Sequence, residues 1–233
     1  GSDFYRKFDL VKKIFKSADE TLGFSLSKLI LNGPENELKL TQNTQPAIMV
    51  VGVSIFRILN EEFGFNLKES KFFAGHSLGE YTALVCSGSL TLESAAYLLK
   101  ERGKSMQAAV PEGQGGMIAV LGMNIDEVKD ELAQLSKTEV CEIANDNSNG
   151  QVVVSGKKDS INILSENLKK KKKKGIILPV SAPFHSSLMK PAAEYMKDKI
   201  KNTNFLKPNP YIISNVTANE ESDINKIKPL LID

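Results

Sequence analysis

Cysteine, histidine and long apolar runs are all scarce in this chain of 233 residues, and each scarcity removes a class of protein. Its two cysteines, Cys86 and Cys141, cannot make a disulfide framework, which points to a reducing compartment. Cys86 falls in an apolar helical stretch and reads as core. The two histidines, His76 and His185, and the widely separated cysteines form no metal-ligand cluster, so no metal is expected. The apolar runs stop far short of a membrane span, and no signal-peptide pattern opens the chain. Gly1-Ser2 stands where an initiator Met would and reads as a cut edge. The net charge is only +2, yet residues 169–174 are six consecutive lysines, and subtracting their six charges leaves −4. No aromatic residue is interleaved with them, which argues against nucleic acid. The run is either a solvated helix end and loop or a docking patch for an acidic partner. What remains is an ordinary soluble globular composition, 41% hydrophobic and 25% charged. The length suffices for a substantial core, as one large domain with a smaller insertion or as two domains.

The most informative stretch runs from Phe72 to Tyr81. A short apolar run breaks into Gly75-His76-Ser77-Leu78-Gly79 and resumes as a helix-competent segment. A serine between two glycines at this spacing fits a nucleophile elbow, a strand-to-helix turn too sharp for side chains at Gly75 and Gly79. It sets Ser77 at a helix start, where free N–H groups and the dipole favour a developing oxyanion. A glycine-flanked turn serine without chemistry is the plainer alternative.

Around the elbow the periodicity is mostly helical. Leu10, Val11, Ile14, Phe15 and Ala18 mark an amphipathic helix ending near Gly23. Thr44 is a plausible N-cap, with Pro46 in the first turn of a helix reaching about residue 63. Its expected buried stripe is Ile48, Val51, Ile55, Ile58 and Leu59. A helix over 92–109 carries Ala95, Leu98, Leu99, Met106 and Ala109 on one face, and Arg102 falls in the middle of it. Lys100, Glu101 and Lys104 read as surface charges. A guanidinium on an apolar stripe must be paired, because an isolated buried charge costs several kcal/mol or more. Either it makes an internal ion pair or snorkels, or it receives a ligand carboxylate, which Arg matches with two parallel hydrogen bonds.

Residues 116–183 read as a unit of their own. Strands are expected at 117–121, 140–144, 151–155 and 176–180, and helices at 125–135 and 160–168. Residues 145–150 are expected to form a turn. The order β-α-β-β-α-β is that of a ferredoxin-like subdomain, leaving 3–115 and 184–233 as the larger part. An active site would lie in the cleft between the two. Beyond, 190–200 is helical and 210–214 extended.

A serine nucleophile needs a general base. His76 adjoins Ser77, and adjacent residues leaving a strand point to opposite sides. That leaves His185 within Ala182-Pro183-Phe184-His185, at the end of an extended stretch because Pro183 disfavours helix at Ala182. A structural histidine is the alternative, but it is the only eligible base in a chain that carries an elbow.

Gly75-His76-Ser77-Leu78-Gly79-Glu80, Arg102 within Glu101-Arg102-Gly103-Lys104-Ser105-Met106-Gln107, and Ala182-Pro183-Phe184-His185 together form a recognisable set. With Thr41-Gln42-Asn43-Thr44-Gln45-Pro46-Ala47, Asn145-Asp146-Asn147-Ser148-Asn149-Gly150-Gln151-Val152 and Ser214-Asn215-Val216-Thr217-Ala218, they span nearly the whole chain. The chain resembles the malonyl-CoA:acyl-carrier-protein transacylases of type II fatty-acid synthesis and the acyltransferase domains of polyketide synthases. The resemblance implies an α/β hydrolase-like parallel-sheet core with an inserted ferredoxin-like subdomain. It also implies a ping-pong transfer of malonyl from malonyl-CoA to the phosphopantetheine thiol of acyl carrier protein through an ester on Ser77. His185 would be the base, Arg102 the carboxylate receptor and the Leu78 N–H one oxyanion donor. Gln45, Asn147, Met106 and Phe184 match positions near the substrate, and Phe184 before His185 accompanies malonyl rather than methylmalonyl preference. No cofactor is implied beyond the carrier's own phosphopantetheine.

Family members also have an opening strand with a glutamine-bearing turn that supplies the second oxyanion donor. After the position of Asp233 they have a glutamine whose carbonyl orients the histidine; either the molecule lacks these two segments or they lie outside residues 1–233. The family works in bacterial cytoplasm or in plastids and mitochondria and is commonly monomeric. Two other readings stay open: a serine hydrolase or thioesterase using the same Ser77 and His185, and a non-catalytic carrier-binding domain.

Overall fold

The computed structural model describes residues 1–111, 113–135, 140–180 and 182–232. Ser181, next to the histidine motif, lies outside them. The chain is α/β and divides into two compact units, one of residues 1–104 with 194–233 and the other of 105–193. Both boundaries fall within helices.

The first unit opens with α1 (Ser2–Lys7), α2 (Asp9–Leu22), α3 (Leu26–Asn32), α4 (Glu35–Leu38) and α5 (Thr41–Arg57), the last running on into a π-helical turn, Ile58–Glu62. Val11, Ile14, Phe15 and Ala18 of α2 are buried as its periodicity requires, and Gly23 ends it in the left-handed conformation. The start of α5 differs from expectation. Leu40, not Thr44, is the N-cap, and Pro46 sits inside the helix. The Thr44 hydroxyl turns back to donate to the Leu38 and Leu40 carbonyls, 2.6 and 3.1 Å away. The buried face is also different: Met49, Val50 and Val53 pack inward with Ile58, whereas Ile48 is 52% exposed. This helix is apolar almost all round, so periodicity alone cannot choose its inner face.

After a 3-10 turn (Leu67–Glu69) comes the two-residue strand β1 (Phe72–Phe73), then the elbow and α6 (Leu78–Cys86). The helix α7 (Leu92–Ala109) follows, with Ala95, Leu98 and Leu99 fully buried. Glu101 departs from the surface role its neighbours suggest. It is nearly buried, accepting from Tyr195 Oη at 2.5 Å and pairing with Lys104 and Lys199 at 3.0 and 3.1 Å. Burial pushes its carboxyl pKa up, but these donors prevail and hold it at about 2.

The second unit contains β2 (Gly115–Leu121), α8 (Ile125–Ala133), β3 (Cys141–Ser148), β4 (Gln151–Lys157), α9 (Lys158–Lys170) and β5 (Lys174–Ile177). They form one sheet in the order β3-β4-β2-β5, with every neighbouring pair antiparallel. Ile118, Val120, Val152 and Val154 pack against Val128 of α8 and Ile161, Leu164 and Leu168 of α9. The expected turn at 145–150 shrinks to Asn149 and Gly150, because β3 continues through two irregularities to Ser148 opposite Gln151. Gly150 takes the positive φ of this turn, 83°, which a glycine adopts without strain. At the other edge β5 ends at Ile177, short of the expected 180, since Pro179 has no N–H to offer a ladder.

The lysine run is split between elements: it ends α9, turns, and begins β5. Lys169 pairs with Glu166, Lys171 with Glu131 and Lys173 with Glu127, so half of the run is tied to acidic residues of α8 and α9.

The chain completes the first unit through α10 (Lys190–Asn202), β6 (Tyr211–Ile213), β7 (Glu220–Glu221) and α11 (Ile224–Leu230). β6 pairs parallel with β1, Phe72 opposite Tyr211 and Phe73 opposite Ile212, while β7 returns antiparallel to β6. This sheet is therefore mixed, and β1–β6 is the one parallel pair among the described residues. Among those residues no helix is long and apolar enough to cross a membrane.

Two of the close approaches made at glycines shape the first unit. A Cβ on Gly103 would lie 2.3 Å from Gln42 Cα, so α7 can cross the start of α5 only without a side chain there. A Cβ on Gly75 would lie 2.0 Å from the Gly79 carbonyl oxygen. The second elbow glycine is different: a Cβ on Gly79 would meet nothing within 4 Å. The tightness of the turn thus falls on Gly75 alone. Gly75→Ala is expected to lower the melting temperature sharply, by the equivalent of about 1–3 kcal/mol or more. Gly79→Ala, inside a helix and in open space, is expected to be neutral or to stabilise by up to about 1 kcal/mol. Thermal denaturation of the two variants checks this asymmetry.

Candidate functional site

Ser77 is the N-cap of α6 and has φ 52°, ψ −110°, a left-handed backbone unusual for a residue with a side chain. Such conformations persist only where surrounding contacts over-determine them, and they cluster at functional sites. The amides that follow are used in a definite way. The Gly79 N–H donates to the His76 carbonyl at 2.8 Å and the Glu80 N–H to the Ser77 carbonyl at 3.1 Å. The Ser77 N–H donates to Asn215 Oδ1 at 2.6 Å. From Ser77 to Glu80, only the Leu78 N–H has no acceptor among the described residues. His76 is exposed.

Arg102 comes to the same place from the inner face of α7. Its Nη2 donates to Ser77 Oγ at 3.1 Å and its Nη1 to Gln45 Oε1 at 2.7 Å. Gln45 is buried in α5 and is itself oriented by donating Nε2 to Thr41 Oγ1 at 3.0 Å. The guanidinium also lies 5.9 Å from the centre of the Tyr81 ring. These contacts are to neutral oxygens and an aromatic face. Burial pulls its pKa down, opposed by Tyr81 and Glu80, and an arginine stays protonated regardless.

Beneath it lie two groups that carry no role in the sequence reading. Glu80 is 4% exposed, and its Oε2 accepts the Asn215 N–H at 3.2 Å. Burial raises its carboxyl pKa to about 7, against the pull of that hydrogen bond and of Arg102. Tyr81 is buried too, its hydroxyl without a hydrogen-bond partner, and burial raises its pKa to about 12.

The remaining sequence-derived residues belong to the second unit. His185 is half-buried and, like Ser77, has a positive φ, 57°. The turn that holds it is closed by Ser186 Oγ donating to the Pro183 carbonyl at 2.9 Å. Glu142 then fixes the next residue, accepting from Ser187 N and Oγ at 2.7 and 2.8 Å. Phe184 packs with Met117, Ala119 and Val153 of the sheet and with Met106, Val110 and Met189. Asn147 is exposed in β3, at the second of its irregularities. Sequence reasoning gave no role to Glu80, Asn215 or Glu142. The first two stand inside quoted motifs, and only their tertiary partners distinguish them. Among the described residues no group of three or more His, Cys, Asp or Glu could hold a metal.

The raised pKa of Glu80 has a definite sign. The folded protein binds this proton more tightly than the unfolded chain, whose carboxyl titrates near 4.5. Its contribution is therefore most favourable below pH 4.5 and is lost as pH rises to about 7. Glu80→Gln keeps an acceptor for Asn215 and removes the ionisation. The variant is expected to gain on the parent between pH 5 and pH 8, by on the order of 3 kcal/mol at most, in melts at the two pH values.

The acyl transferase domain family matches residues 4–227. The malonyl CoA-acyl carrier protein transacylase of Bacillus subtilis (strain 168) is 39% identical over an alignment 235 residues long that covers 100% of this chain and 73% of that protein. The solved acyl-carrier-protein-S-malonyltransferase of Bartonella henselae is also 39% identical, with a TM-score of 0.94 over 99% of this chain and 74% of its own. A malonyl-transacylase solved in complex with a type II PKS acyl-carrier protein is 35% identical, with a TM-score of 0.93 over 99% and 74% of the two chains. A domain match over nearly the whole length, joined to relatives well above 30% identity, means that this chain belongs to the malonyl CoA-acyl carrier protein transacylase family.

Proposed function

We propose that the chain transfers a malonyl group from malonyl-CoA to the phosphopantetheine thiol of an acyl carrier protein through an ester on Ser77. The observation that carries this is the guanidinium nitrogen 3.1 Å from the Ser77 hydroxyl. In malonyl-CoA the free carboxylate is separated from the thioester carbonyl by a single methylene. A receptor for it must therefore stand next to the nucleophile, as Arg102 does, with Gln45 holding one edge of the fork.

In the first half-reaction Ser77 Oγ attacks the thioester carbon while His185 takes its proton. The C–S bond breaks, and His185 returns the proton to the departing coenzyme A thiol. In the second, His185 takes the carrier's thiol proton, the thiolate attacks the ester carbon, and the proton goes back to Ser77 Oγ. Thioester is exchanged for ester and back, so no energy source is needed. The Leu78 N–H at the start of α6, with no other acceptor, suits the oxyanion of each tetrahedral intermediate. Gln45 orients Arg102, while Met106, Phe184 and Asn147 are assigned to the substrate's surroundings on family resemblance.

The antiparallel order β3-β4-β2-β5 with both helices packed on one face supports a ferredoxin-like subdomain, here proposed as 116–183. The parallel β1–β6 pair followed by an elbow supports a hydrolase-like core in the rest. The free cysteines support a reducing compartment, the bacterial cytoplasm or the interior of a plastid or mitochondrion.

Intact-mass measurement after brief incubation with malonyl-CoA tests the first half-reaction. One malonyl adduct is expected on the parent, none with acetyl-CoA, and none on Ser77→Ala. Loss of the adduct to water, with none reaching a carrier protein, would instead identify a hydrolase. Arg102→Ala should slow malonyl transfer at least about thirtyfold, the lower end of what removing one partner of a buried charge pair costs. The same variant should narrow the preference for malonyl over acetyl. Unchanged selectivity would remove Arg102 from substrate recognition.

A further inference from the structure

We infer that Asn215 is a positioning residue for the nucleophile: its carboxamide holds the left-handed backbone of Ser77 and so aims the hydroxyl at the acyl carbon. This rests on the reading of Ser77 as the acylated residue.

β1 ends at Phe73 and α6 begins at Leu78, so the backbone between them belongs to neither a strand nor a helix. Its polar groups still need partners. Asn215 Oδ1 accepts the Ser77 N–H at 2.6 Å, and Asn215 Nδ2 donates to the Gly75 carbonyl at 2.7 Å. One planar group thus bridges the two sides of residue 76. Its orientation is fixed by the partners, because an amide N–H can only donate and a carbonyl can only accept. Asparagine suits the task because a single short side chain offers both functions side by side.

The fold explains how this residue arrives. β6 runs parallel to β1, so both strands end at the same edge, and the residues after Ile213 lie beside those after Phe73. The segment that follows is closed on itself, Ser214 N–H donating to the Asn219 carbonyl at 3.0 Å and Ala218 N–H to the Ser214 carbonyl at 2.9 Å. The Asn215 backbone is fixed in turn by Glu80 from the first turn of α6. The clamp therefore runs from the neighbouring strand to both ends of the elbow.

Two consequences bear on the reaction. Ser77 cannot relax from φ 52° while its N–H is held, so its hydroxyl stays beside Arg102. The Ser77 N–H is also already spent, which leaves the Leu78 N–H as the amide that meets the oxyanion.

The full chain tests this in two ways. At saturating malonyl-CoA, Asn215→Ala should form the malonyl-Ser77 ester up to about a hundredfold more slowly, the scale of loss for a slightly misplaced reacting group. The half-saturating concentration should stay unchanged. Asn215→Asp, which keeps the acceptor and loses the donor, provides a second variant and should fall between. Melting temperatures supply a readout independent of activity. Ser77→Gly relieves the left-handed strain and should raise the melting temperature when Asn215 is present. It should raise it by less when combined with Asn215→Ala, because the unclamped serine has already relaxed. Acylation of both Asn215 variants at the parent rate, or an equal gain from Ser77→Gly in both backgrounds, would overturn the inference. Absence of any adduct on the parent would overturn the acyl-transfer reading instead, and the melting comparison would still decide the clamp.

Discussion

A positive charge set into an apolar helix face is the constraint around which this site is built. Removing a guanidinium from water is expensive, and the cost must be offset by groups that face it at the right angles. Here those groups include the Gln45 amide oxygen, the Ser77 hydroxyl and the Tyr81 ring, drawn from α5 and from α6 with its N-cap. A carboxylate answers a guanidinium far better than a hydroxyl does. Glu80 sits close enough to influence Arg102, and burial holds its own carboxyl pKa up at about 7.

The architecture serves that arrangement. Gly103 lets α7 lie against the start of α5, which brings Arg102 to Gln45. Gly75 lets the chain fold back on the first turn of α6, which brings Ser77 to Arg102. Each contact uses a missing Cβ to place a polar atom that otherwise could not reach.

Much of this was legible in the sequence, for physical reasons that differ from residue to residue. The elbow announced itself because a serine between closely spaced glycines fits a sharp strand-to-helix turn, and Arg102 because it broke a helical period. The order of elements in residues 116–183 followed from alternating apolar residues and well-placed breakers. Other features depend on partners distant in the chain. The Asn-Asp-Asn stretch has turn chemistry, yet pairing with Val152 and Val153 keeps most of it in a strand. Glu101 lies among surface charges in sequence, and only Tyr195 and Lys199 explain its burial. Met49 and Val53 rather than Ile48 and Ile55 face the core of a helix whose sides are almost equally apolar. Asn215 was visible as part of a motif, but its pair of hydrogen bonds reaches Ser77 and Gly75, far away in sequence.

That last separation has a price in assembly. The bond between Asn215 and Ser77 spans 138 positions in sequence, and the parallel pairing of β6 with β1 beside it is just as long in range. Closing so large a loop costs chain entropy with no local reward along the way. The helices before the elbow can form from near neighbours, but the serine acquires its geometry only after the last fifth of the chain has docked. On the proposed reading of Ser77, a nascent chain of this sequence carries its nucleophile long before it carries a working one, and its reactivity is withheld until folding is nearly complete.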